Sequence, residues 1–170
     1  MEKKTKQSEE IASNLKEIAN NGNEKAPHSG YKCRNFALYE LLPKELYVDE
    51  ETGWDMFDEK LLKTIDAVRD ILDISLTCNN WKFGGKRNYC GARTKDSDVY
   101  KYGSYHSIRP DRKVMAVDVI SPKMTAAKMR QILVENSSKL PYPVRIEAGV
   151  SWLHIDTASV VGYKIYFFNA

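Results

Sequence analysis

The chain has 170 residues, of which 42% are hydrophobic and 29% charged, enough for one domain with a buried core. A mean hydropathy of −0.52 and the lack of any apolar run near ~20 residues exclude a membrane-inserted protein. Three Trp, ten Tyr and five Phe exclude low-complexity disorder for most of the chain, and a net charge of +3 is too small to indicate nucleic acid, although a weakly basic surface suits acidic polymers.

Residues 1–30 differ from the rest. They are rich in Lys, Glu, Asn and Ser, with one helical stripe at Ile11, Leu15 and Ile18 and Ser8 as a cap. Asn20 to Asn23 and Pro27 to Gly30 then break any helix. This predicts a mobile arm carrying one short helix. Met1-Glu2-Lys3-Lys4 is followed by no apolar segment, so no secretory signal is expected. A protein of this kind is made in the cytoplasm and must be released by other means to act outside it. Cys33, Cys78 and Cys90 form no paired framework and no CxxC, which predicts reduced thiols and no thiolate zinc site.

The folded domain is expected from residue 31 to 170. Phe36, Leu38, Leu41 and Leu42 before Pro43 suggest a short helix or turn. Asp58 should cap a helix whose apolar positions are Leu61, Leu62, Ile65, Val68, Ile71 and Leu72. Ile74 to Thr77 reads as a strand. Residues 79–103 are rich in glycine, aromatics and charge, and read as a long functional loop. Val114 to Ile120 alternates as a strand, with Val117 and Val119 on one face and Asp118 on the other. Thr125 should cap a helix containing Ala126, Met129, Ile132 and Leu133, ended by Pro141 and Pro143. Three strands follow, at 144–146, 152–155 and 162–168. The order predicts an α+β fold, with a mostly antiparallel central sheet and flanking helices.

Only three histidines occur, and two lie in the domain, each near a carboxylate. His106 precedes Asp118 by an eleven-residue gap, and His154 sits in Trp152-Leu153-His154-Ile155-Asp156. Two imidazoles and one carboxylate leave a fourth position open on zinc, as catalytic zinc requires. Such an ion lowers the pKa of water toward ~7, and a carboxylate must then take the proton. Glu147, seven residues before His154, is the leading candidate. Spacing alone leaves a plainer reading open, with His106 on a surface loop and His154 hydrogen-bonded in a strand. There is no HExxH, so this is not a helical zincin. A lone Asp118 in an apolar strand is costly unless paired or metal-bound.

Together these pieces resemble the zinc D-alanyl-D-alanine carboxypeptidase family, whose fold is shared with the hedgehog signalling domain, and most closely its phage endolysin members. Ser104-Tyr105-His106 with Ala116-Val117-Asp118 is similar to the first family motif, and Trp152 to Asp156 to the second. Asn79 to Gly85, Gly91-Ala92-Arg93 and Ile146 to Trp152 resemble phage sequences in the same order. The resemblance spans about residues 36–158. It implies zinc on His106, Asp118 and His154, Glu147 as general base, and Arg93 facing a substrate carboxylate or carbonyl. It also implies Ser104 and Asp156 as groups that orient the ligands, and Trp81 and Trp152 packed beneath the site. The implied activity is hydrolysis of peptidoglycan stem peptides, of the D-Ala-D-Ala carboxypeptidase or L-Ala-D-Glu endopeptidase type, by a monomeric phage or prophage endolysin. A catalytically weak zinc-binding module on the same fold is the alternative.

Two departures bear on the site. The family's gap between His and Asp is shorter, so residues 107–113 must bulge outward or displace His106. Strict strand alternation over seven residues would put Glu147 and His154 on opposite faces, unless Ala148-Gly149 reverses the chain.

Overall fold

The structure, a computed structural model, describes residues 30–169. The expected arm, with its stripe at Ile11, Leu15 and Ile18, lies outside the described residues except for Gly30. Helix α1 spans Leu38–Leu41, α2 spans Glu59–Leu72 and α3 spans Ala126–Glu135. The Asp58 carboxylate accepts from the Lys60 amide at 2.8 Å and starts α2. Asp73, at φ 49°, ends it in the left-handed region. Thr125 Oγ1 accepts from the Lys128 amide at 3.3 Å and starts α3.

The strands are β1 (Ala116–Val119), β2 (Val144–Glu147), β3 (Leu153–Asp156) and β4 (Ile165–Phe168). They form one sheet in the order β1-β3-β2-β4. The fold is α+β, but the expected mostly antiparallel sheet is corrected to a mixed one. β3 is antiparallel to both β1 and β2, whereas β4 runs parallel to β2. Topology supplies the reason. Both edges of β3 are already taken, and the chain leaving β3 adds to the free edge of β2. Arriving antiparallel to β3, it is necessarily parallel to β2.

The expected strand at 74–77 is also corrected. Only Thr77 pairs there, in a single antiparallel bridge to Ile120, before the chain enters the next loop. That loop contains one 3-10 turn, Trp81–Phe83, and otherwise no helix or strand.

One sheet face carries the row Val117, Ile155, Ile146 and Phe167. The first three are buried together with Leu61, Ile65, Met129 and Leu133 of the helices. α2 packs on α3, and α3 on β3. Fully burying one such aliphatic side chain contributes about 1.5–3 kcal/mol. Helices therefore cover this face, and the opposite face is left to the loops. There, β1 and β3 are buried at every position, so the polar residues they direct to that side are enclosed.

The buried Asp66 of α2 ties the start of the domain down. Its carboxylate accepts from the Tyr31 hydroxyl and from the amides of Arg34 and Asn35, at 2.8–2.9 Å.

Candidate metal centre

The loop-covered face carries two rows of side chains across the sheet. Asp118 pairs with His154, and Ala116 with Asp156. Arg145 pairs with Asp156, and continuing that register by two residues puts Glu147 opposite His154. Directly opposed residues of an antiparallel pair share a face. Asp118, His154 and Glu147 thus lie in line on one face, with Phe168 next on β4. The seven-residue spacing does not separate Glu147 from His154, because the chain turns back between them through Gly149 at φ 77°. Arg130 of α3 holds that turn, donating to the carbonyls of Glu147, Val150 and Trp152.

His106 reaches the same place from a loop. Residues 106–108 run beside Arg93, with the Arg93 amide donating to His106 O and the Ile108 amide to Arg93 O. The eleven-residue gap does not displace the ring. Residues 109–112 close a turn on an antiparallel bridge between Arg109 and Arg112, and Val114 is anchored to Met56 and Asp58. The insert projects away from two fixed ends.

His106, Asp118 and His154 are all buried, with one potential ligand atom of each within 4.8 Å of the others. His106 Nε2 lies 3.3 Å from His154 Nδ1 and 3.4 Å from Asp118 Oδ2. Donors at about 2.0–2.1 Å from a tetrahedral ion stand roughly 3.3 Å apart, so these two edges already have the required length. The third, His154 Nδ1 to Asp118 Oδ1, is 2.7 Å, a charge-assisted hydrogen bond.

The outward ring atoms are also engaged. His106 Nδ1 is 2.8 Å from Gly91 O, and His154 Nε2 is 3.2 Å from Asp156 Oδ2. The carbonyl facing His106 Nδ1 makes that nitrogen the protonated one and leaves Nε2 with its lone pair, whereas His154 meets a carboxylate at each ring nitrogen, Asp118 at Nδ1 and Asp156 at Nε2. A proton on His154 Nδ1 balances the Asp118 carboxylate, and a bound cation would take that proton's place. This donor set could hold a divalent first-row cation.

Titration follows the same geometry. Burial pushes the His106 imidazolium down, and Asp118 only partly offsets it. Burial also opposes the charged form of His154, but hydrogen bonds to Asp118 and Asp156 outweigh it and push the pKa up to about 9. Asp118 pays the same desolvation, yet the two imidazoles hold its carboxyl well below the usual range.

Arg93 lies at the site and holds Asp118. Its Nη2 donates to Asp118 Oδ2 at 2.8 Å and its Nε to Tyr89 O at 2.9 Å. Ser104 acts on the backbone, where its Oγ accepts from the His106 amide at 3.3 Å. Glu147 is half-buried, and its side chain makes no hydrogen bond or ion pair among the described residues. Trp81 packs against Tyr39 and Tyr47 and donates to Leu42 O. Trp152 is half-buried with its indole N–H unpartnered among the described residues. The three cysteines are free thiols outside the donor set.

Gly91 stands in a motif the sequence singled out, but its part in the site was not foreseen. Its carbonyl is the partner of His106, and a Cβ there would lie 2.1 Å from Leu41 O. A backbone acceptor leaves no side-chain signature, so only the loop's proximity to Leu41 reveals it.

No family model, curated protein or solved structure matches this chain. No helix among the described residues is long and apolar enough to cross a membrane.

A cation held by this group would have a direct thermodynamic consequence. A ligand at a thousandfold excess over its Kd stabilises the folded state by about 4 kcal/mol, or on the order of 10 °C in Tm for a chain of this size. Scanning fluorimetry with added zinc should show that rise, and EDTA should reverse it. A Tm indifferent to both would remove the cation from the account.

Proposed function

We propose that this protein is a zinc-dependent peptidase of the D-alanyl-D-alanine carboxypeptidase type on a hedgehog-like fold, cleaving the peptide stems of bacterial peptidoglycan as a phage or prophage endolysin does. The observation that carries this reading is the buried convergence of His106, Asp118 and His154, with both outer ring nitrogens engaged. The motifs around Ser104 to His106 and Trp152 to Asp156 point the same way, as does a weakly basic chain for an anionic wall.

When bound, zinc would supply a Lewis acid that polarises a carbonyl oxygen and brings the ionisation of water toward neutral pH. The protein's own groups do the rest. Glu147, on the face shared with His154, accepts the proton of the attacking water and returns it to the departing amine. One water is added as the C–N bond breaks. Arg93 holds Asp118 through Nη2 and offers its remaining guanidinium N–H groups to a substrate carboxylate or carbonyl.

The test is release of stem peptides from purified walls, followed by turbidity and by mass analysis of the fragments. Lysis that EDTA abolishes and zinc restores supports the reading, and lysis indifferent to chelation ends it. One observation favours a second reading, a non-catalytic cation-stabilised module. Arg93 already commits Nε and Nη2 within the protein. That reading expects about one cation per chain, stabilisation by it, and no fragments from any wall.

A further inference from the structure

Asp156 is fully buried and its carboxylate is shared four ways. Oδ2 faces His154 Nε2 at 3.2 Å, and Oδ1 accepts from the Ala158 amide at 3.1 Å. The other two contacts come from a single residue. Arg145 donates from Nε to Oδ1 at 2.8 Å and from Nη2 to Oδ2 at 2.9 Å, a bidentate fork. Arg145 and Asp156 are directly paired in the β2–β3 register, so the sheet itself sets the contact. The guanidinium carbon also lies 4.9 Å from the centroid of the Tyr105 ring and 4.8 Å from that of Phe168. The Phe168 ring in turn meets the His154 ring edge-on at 5.6 Å.

We infer that Arg145 is a positioning residue for the metal centre: by clamping the Asp156 carboxylate it fixes the ring orientation and tautomer of His154, and so sets the affinity of the site for its cation. This deepens the proposed function and rests on reading His154 as a ligand. The physical reason is rotational. A carboxylate held by one imidazole and one amide can turn about its Cβ–Cγ bond, whereas a planar fork on both oxygens fixes its plane. The imidazole N–H that it receives is then aimed, and the opposite nitrogen points at the cation. A lysine would keep the charge but could not reproduce the two parallel bonds.

The experiment uses the full chain. Zinc affinity is measured by competition with a chromophoric chelator, and ligand geometry by the visible absorption of the cobalt(II)-loaded protein. Arg145→Gln should weaken zinc binding about 10- to 100-fold and alter the cobalt spectrum. Arg145→Lys should fall between that variant and wild type, and guards against a folding failure of the glutamine variant. Asp156→Asn should lose a similar amount, and the double variant no more than Asp156→Asn alone, because Arg145 acts through that carboxylate.

Wild-type affinity and an unchanged cobalt spectrum in Arg145→Gln would overturn the proposal, leaving a plain ion pair across two strands. Losses that multiply in the double variant would overturn it as well. A wild-type chain that takes up neither zinc nor cobalt would instead overturn the reading of the site, a result separable from either.

Discussion

Replacing His154 by Ala should lower the affinity for divalent cations by more than about 100-fold, beyond the cost of losing a residue that merely orients a ligand. The same variant should lose the zinc-dependent rise in Tm and all chelator-sensitive wall lysis. The three losses belong together because His154 Nδ1 is one of three inward donors among the described residues, 3.3 Å from His106 Nε2 and 2.7 Å from Asp118 Oδ1. The metal-free variant should still fold. Asp118 keeps Arg93, and Asp156 keeps the Arg145 fork, so neither buried carboxylate is left uncompensated. Zinc titration by calorimetry, thermal scans and a wall assay on one preparation read the outcome. A variant that keeps full affinity and full lysis would show that His154 is an ordinary hydrogen-bonded strand histidine.

Glu147→Gln should separate chemistry from binding. The substitution preserves volume and removes only the capacity to accept a proton. The Glu147 side chain has no hydrogen-bond or ion-pair partner among the described residues, so the change in stability should stay within about 0.5 kcal/mol. Cation content should remain that of the wild type. Stem-peptide release should fall about 10²- to 10⁴-fold, the usual worth of a positioned general base. Activity retained at the wild-type level would place the base elsewhere. The register makes Glu147 the specific candidate, since it stands opposite His154 on β3 while Asp118 stands opposite from the other side.

Much of the local structure was legible from residue order. Asp58 and Thr125 cap the helices that follow them, because a short acceptor ahead of an apolar stripe meets the unpaired amides of a first turn. The strands near 116, 144, 153 and 165 were legible from alternation and β-branched content. The strand expected at 74–77 was not realised beyond a single bridge at Thr77, because Asn79 just after it is bonded to the Glu40 and Leu42 carbonyls instead of to a neighbouring strand.

The identities of His106, Asp118 and His154 could be read from residue type and motif, since few side chains can bind a cation and only two histidines occur in the domain. Their meeting could not. It depends on β1 and β3 being neighbours although 33 residues separate Val119 from Leu153, and on the loop that holds His106 beside Arg93. Strand order is set by which apolar faces pack on α2 and α3, a property of the assembled layers rather than of any stretch of chain. The same holds for the face shared by Glu147 and His154, which a hairpin reversal decides and a spacing count gets wrong. It holds too for Gly91 and Arg145, whose parts in the site come from a carbonyl and a cross-strand fork. Chemistry resides in side-chain types and is written along the chain, whereas geometry is a relation between distant segments and exists only once they have packed.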